Sequence, residues 1–218
     1  MTKRFGMVFA MTFFCAASAF SQDKTVINNC RIRPGTLCAD MNLNSVDLSK
    51  ADLSNAQFSG SNMEGANLAG TVLTAANLTR ADLTRANLRK ANLSNADLRA
   101  ANLTNAMLGG ANLSNANFEN LIGTNGDFTD AVMAGVDLAG AEMRDAKLEG
   151  ADARRANFRS ANLSGADFRG ANLEGANFTR ATLRNANLSK AKLHGATFTG
   201  ADMAGCTGCP ASPSQAPR

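Results

Sequence analysis

The sequence has no tryptophan, no tyrosine and a single histidine, His194. One histidine beside an apolar residue provides neither a base paired with a nucleophile nor a set of metal ligands. Without Trp and Tyr, the side chains that most readily interleave with basic residues to stack nucleobases are missing. There is no glycine-rich phosphate loop and no cluster of metal-ligating residues. Carboxylates are plentiful, but they recur at evenly spaced positions and do not converge. These absences argue against an enzyme, and against any cofactor or small-molecule substrate.

What the chain has is a five-residue rhythm. Every fifth residue from Leu43 to Met203 gives 33 positions, and 31 are large and apolar: 20 Leu, 7 Phe and 4 Met. The exceptions are Gly123 and Ala153. Two residues before each lies a second series, Met41 to Ala201, in which 26 of 33 are Ala. The residue between the two is Asn or Asp at 23 of 33 positions. An amphipathic helix does not accommodate this period, because five residues advance about 140° around a helix and the Leu series would spiral over every face. Strict alternation of a strand is broken by the polar triplets. Two inward residues, one small and one large, followed by a polar corner, suit a coil with short sides. The residue two after each central position is Gly or Asn at 20 of 33, which fits the φ > 0 position of a type II turn.

The tandem A(D/N)LXX pattern over residues 41–205, and in weaker form 36–40, resembles the pentapeptide-repeat family. That resemblance implies an all-β fold, a right-handed quadrilateral β-solenoid with four pentapeptides per coil and the central Leu, Phe and the Ala residues pointing inward. The span corresponds to about eight coils, roughly 40 Å of rod at the spacing of β layers. One coil buries too few large side chains to offset the ordering of twenty residues, so coils must stack. Residues 20 apart then share a side, which places Phe58, Phe118, Phe158, Phe178 and Phe198 together, and Phe128 with Phe168. The stretch NLIGTNGDF, residues 120–128, breaks the rhythm. Leu121 takes a small slot and Gly123 a large one, an exchange of volume. We expect a local bulge there, bending the rod.

Residues 1–21, MTKRFGMVFAMTFFCAASAFS, read as a secretory signal peptide: a basic start, a short apolar run and small residues near the end, with cleavage after Ala19 or Ser21. An exported protein, periplasmic or secreted, is the expectation. Four cysteines follow, Cys30, Cys38, Cys206 and Cys209. In an oxidising compartment they suggest disulfides, paired Cys30–Cys38 and Cys206–Cys209, one pair at each open end of the coil. Residues 22–40 are thus an N-terminal cap segment, and 206–218 a disordered C-terminal tail. Cys206-Thr-Gly-Cys209 also has the spacing of a redox motif, but no βαβ pattern surrounds it.

Beyond residue 21 the net charge is slight, yet it is banded. Residues 119–152 carry two bases and eight acids, and residues 153–192 eight bases and two acids. Arg154, Arg155 and Arg159, with Arg80, Arg85, Arg89 and Lys90, form the candidate interaction patch. Antiparallel rods could oppose their bands, giving weak self-association. Relatives known in the family mimic DNA and bind gyrase; they are cytoplasmic, strongly acidic and dimerise through a C-terminal helix. This sequence departs on each count. The reading is an exported, non-catalytic structural or protein-interaction scaffold with an unknown protein partner. The alternatives are a secreted effector acting on a host and a gyrase-binding DNA mimic; flanking acidic bands and missing surface aromatics argue against nucleic acid itself.

Overall fold

The computed structural model describes residues 26–211. The signal-peptide reading of residues 1–21 and the end of the tail, 212–218, lie outside them. The description opens on a hairpin. Strand β1, Val26–Ile27, pairs antiparallel with β2, Cys30–Arg31. Asn28 and Asn29 join them, both with positive φ, as a two-residue hairpin whose turn follows the strand twist requires.

From Leu37 onward the chain meets itself every twenty residues. Asn42 bridges Asn62, Asp47 bridges Asn67, Asp52 bridges Val72 and Gln57 bridges Asn77, all parallel, and the series runs unbroken to Asn187–Thr207. Four parallel ladders result, one for each pentapeptide of a 20-residue coil. We number them by members: side 1 holds Asn77 and Asn157, side 2 Asp82 and Asn162, side 3 Asn87 and Asp167, side 4 Asn92 and Asn172. Each side contributes the same bonds. The Leu83 N–H donates to the Asn102 carbonyl at 2.8 Å, and the Asn102 N–H to the Ala81 carbonyl at 3.0 Å. Among the described residues no helix is long and apolar enough to cross a membrane.

The corners are type II turns. The Leu48 carbonyl accepts from the Ala51 N–H at 3.1 Å, and Lys50, the third turn residue, has φ 60°. The same conformation is imposed on Arg80, Arg85, Ala100 and Arg155, residues that rarely adopt positive φ on their own. The turn belongs to the stack, and Gly or Asn merely lowers its cost.

The interior is as the periodicity implies. Leu53, Leu78, Leu98 and Leu138 are fully buried, as are Ala76, Ala106 and Ala141. Phe178 stacks between Phe158 and Phe198 with centroids 4.8 and 5.0 Å away, and the Phe168 ring meets it edge-on at 5.9 Å. The polar residues that enter small slots are satisfied: Ser61 Oγ donates to the Cys38 carbonyl and Thr71 Oγ1 to the Leu68 carbonyl, each at 2.7 Å.

Three expectations need correction. No bulge interrupts 120–128: Ile122 bridges both Asn102 and Glu142, and Gly123 donates to the Glu142 carbonyl at 2.7 Å. The volume exchange is absorbed by side chains alone, because Leu121 Cδ2 stands 3.0 Å from where a Cβ on Gly123 would be. The phenyl ring of Phe128 likewise occupies the space above Gly126. The ladder also begins inside the segment assigned to a cap, since Gly35 and Cys38 already donate to Ser54 and Gln57. Finally, residues 206–211 are not a disordered tail, for Thr207 completes the side 3 ladder.

Candidate interaction surfaces

Where the residue midway along a side is Asn or Asp, it points its side-chain oxygen back at the backbone. Asp82 Oδ1 accepts from the Thr84 N–H at 3.0 Å and from Thr84 Oγ1 at 2.6 Å. Between coils, Asn157 Nδ2 donates to Asp137 Oδ1 at 2.9 Å, and Asn87 Nδ2 to Asn67 Oδ1 at 3.1 Å. This explains the Asn/Asp preference: a short side chain with an acceptor caps the turn, and an amide can also reach the next layer. Most of the regularly spaced carboxylates are thereby engaged in holding the coil. Chemistry directed outward is left to the corners and to the mid-side residues that are not Asn or Asp, such as the exposed Lys147, Lys192, Ile122 and Val132.

The 20-residue register decides which corner carries which charge. Arg154 and Arg155 lie after side 4. Arg159 lies after side 1, as do Arg80 and Arg99. Arg85 follows side 2, and Arg89 and Lys90 follow side 3. The basic run of residues 80–99 is therefore dealt around three corners, and only Arg80 and Arg99 share one with Arg159. Several members are also paired. Arg85 Nη1 lies 3.0 Å from Glu64 Oε1, Arg154 Nη2 2.7 Å from Asp152 Oδ2, and Arg89 Nη2 3.9 Å from Asp127 Oδ2. Arg80, Lys90, Arg155 and Arg159 have no such partner among the described residues. The acidic and basic bands are stitched together across their boundary by Arg154–Asp152 and by Arg169–Glu149 at 3.0 Å, while Arg169 also meets Asp167 at 2.7 Å within the basic band.

These pairs hold the carboxyls of Asp97, Asp152 and Asp167 below the ordinary value, chiefly through hydrogen bonds from Arg99, Arg154 and Arg169. Asp202 is lowered in the same way by Arg184. All are partly exposed surface pairs, each worth little on its own.

Sequence reasoning missed one feature. An open groove of about 910 Å³ follows the corner after side 4 across five coils, from Ser114 to Gly195. Gly135, Gly175, Arg154, Arg155 and His194 line it, with Glu174 among them. The signal was the column at 20-residue spacing, in which small residues at 114–115 and 134–135 precede Arg154 and Arg155, and Gly175 and Gly195 follow. His194, which follows the central Leu193, is exposed. The sulfurs of Cys30 and Cys38 lie at bonding distance with Cα atoms 5.5 Å apart, and those of Cys206 and Cys209 with Cα atoms 5.8 Å apart. Among the described residues no group of His, Cys, Asp and Glu could hold a metal ion.

Eight copies of the pentapeptide repeats family match between residues 35 and 200. The chain is a member of the pentapeptide-repeat family. Among solved structures, this pentapeptide-repeat protein is similar to HetL of the cyanobacterium Nostoc, a protein involved in regulation of heterocyst differentiation. Identity is 34% over 78% of this chain and 86% of HetL, with a TM-score of 0.42. It is also similar to QnrB1, a plasmid-mediated fluoroquinolone resistance protein, at 20% identity over 76% of this chain and 87% of that one, with a TM-score of 0.63. At that identity the second likeness concerns the fold alone. No curated protein matches the chain.

Proposed function

We propose that this pentapeptide-repeat protein is an exported, non-catalytic scaffold that presents its corners and sides to a protein partner. Its described coils are taken to form a right-handed quadrilateral β-solenoid. One observation carries the reading: the turn-capping carboxylates and amides are engaged with backbone and neighbouring coils, as in Asp82 to Thr84 and Asn157 to Asp137, while the corner side chains stay exposed in fixed register. A surface whose functional variety is a pattern of charge on a rigid lattice suits recognition more than chemistry. Function still resides in the residues at the site and does not follow from the fold.

Export is part of the proposal, resting on the basic and apolar leader and on four cysteines in two pairs. Cell fractionation with intact-mass measurement tests it. The mature protein should be found outside the cytoplasm, shortened to begin after Ala19 or Ser21 and without free thiols. A full-length cytosolic protein would overturn it. For the partner, a photo-crosslinking residue at Arg155 or Arg159 should capture one defined envelope or extracellular protein, and charge reversal at those corners should abolish capture. Crosslinks spread evenly over all four corners would contradict a specific surface.

A further inference from the structure

The two disulfides differ in access. Cys30 and Cys38 are 1% and 2% exposed and belong to the core. Cys206 and Cys209 are only partly buried and border an open recess of about 380 Å³ shared with Met203, Ala204 and Pro210. The ends of the stack differ in the same sense. Leu43, Leu48 and Leu53 near the start are at most 2% exposed, whereas Leu193, Phe198 and Met203 in the last coil are only partly buried.

The outer pair also brackets the last ladder position. Thr207 donates to the Ala186 carbonyl at 2.9 Å, and its own carbonyl accepts from the Leu188 N–H at 2.7 Å. Gly208 then crosses the backbone of side 3 so closely that a Cβ would meet Leu188 C and Ser189 N at 2.7 Å. Asn187–Thr207 is the final bridge among the described residues. Residues 207 and 208 are thus held by one ladder contact and by the covalent closure around it.

We propose that Cys206–Cys209 is a thiol–disulfide exchange site, reducible in the folded protein by a dithiol, and that its state sets whether Thr207 stays docked on side 3. A reductant thiolate attacks one of the two sulfurs, forming a mixed disulfide and expelling the other as a thiolate, which takes a proton from solvent. The second thiol of the reductant then attacks the mixed disulfide and releases the remaining cysteine as a thiol. The reductant becomes a disulfide and the protein gains two thiols. Because each coil contacts only its neighbours, undocking at the end leaves the interior coils intact.

The test uses the full mature chain. It is treated with dithiothreitol at neutral pH, pulsed with iodoacetamide and mapped by peptide mass, with amide hydrogen exchange read in parallel. Cys206 and Cys209 should be alkylated at least tenfold faster than Cys30 and Cys38. Exchange at the Leu188 and Thr207 amides should rise while interior amides such as Leu98 stay protected. Equal rates at both pairs, or modification only after global unfolding, would overturn the site. The Cys206→Ser/Cys209→Ser variant should reproduce the raised exchange without reductant. Unchanged protection of Leu188 in that variant and in the reduced protein would overturn the undocking.

Discussion

Leu121 fills the space that Gly123 leaves: its Cδ2 stands 3.0 Å from the Cβ position of a residue two places along the same side. The two slots have traded occupants, and the ladder on either side is undisturbed. Leu121→Ala should therefore open a cavity and cost about 2–5 kcal/mol. Gly123→Leu alone should clash with Leu121 and also destabilise. The double change restores the usual order of the repeat, and its melting temperature should recover to near that of the parent. A double variant no better than either single one would contradict the exchange.

The inward assignment is tested at Leu98, fully buried on side 1 between Leu78 and Phe118. Leu98→Asp places an unpaired charge in the core and should abolish cooperative melting and the native circular dichroism. Asn95→Asp, at an exposed corner with φ 58°, keeps a residue that tolerates the left-handed conformation and should shift the melting temperature little.

The sequence made the core legible because a register without insertions repeats one decision at every slot. It did not make the surface legible in the same way. Arg85 and Arg89 are neighbours along the chain but stand on different corners, while Arg80 and Arg159 are far apart and share one. Each pentapeptide turns a corner, so a run of charge is spread around the molecule and only a column at multiples of twenty makes a patch. The bulge expected at 120–128 failed for a related reason. Backbone ladders hold the coil above and below, so the fault was easier to absorb in a Leu side chain than in the main chain.

The aromatic column predicts a local weak point if it is cut. Phe178 contacts the rings of Phe158, Phe168 and Phe198, and Phe178→Ala should cost about 3–5 kcal/mol in denaturant unfolding. Amide exchange should rise first in the C-terminal coils, because coupling passes from neighbour to neighbour. Uniform loss of protection along the whole chain would count against that picture.

Stability should respond to acid. Asp97, Asp152, Asp167 and Asp202 have lowered pKa values through donation from arginine, Asp47 through the Ser49 backbone N–H and Asp52 through the Ser54 hydroxyl, all relative to an ordinary 3.8. A folded-state value below the unfolded one gives stability that is present above the unfolded pKa and lost as pH falls through the folded one. The melting temperature should be level between about pH 5 and 8 and decline below about pH 4. A maximum at acidic pH would refute the sign.

Lateral association, if it occurs, depends on exposed charges of opposite sign on two rods, so it should be weak and suppressed by salt. Sedimentation at low and high ionic strength reads it. Arg155→Glu with Arg159→Glu should abolish any low-salt dimer without affecting melting, since neither arginine has an ion-pair partner among the described residues. A strict monomer at high concentration and low salt would eliminate the association.

The twenty-residue register also constrains how such a gene can change length. An in-frame loss of twenty codons within the ladder shortens the molecule by one layer, about 4.8 Å, and every downstream residue keeps its own side. Losing five codons removes no more than a quarter of a layer, yet it carries everything downstream around by one side and scrambles every vertical column, including the Phe158–Phe178–Phe198 stack. Length is therefore inherited in whole layers, and the molecule can serve as a ruler whose graduations slip only at the cost of its surface pattern.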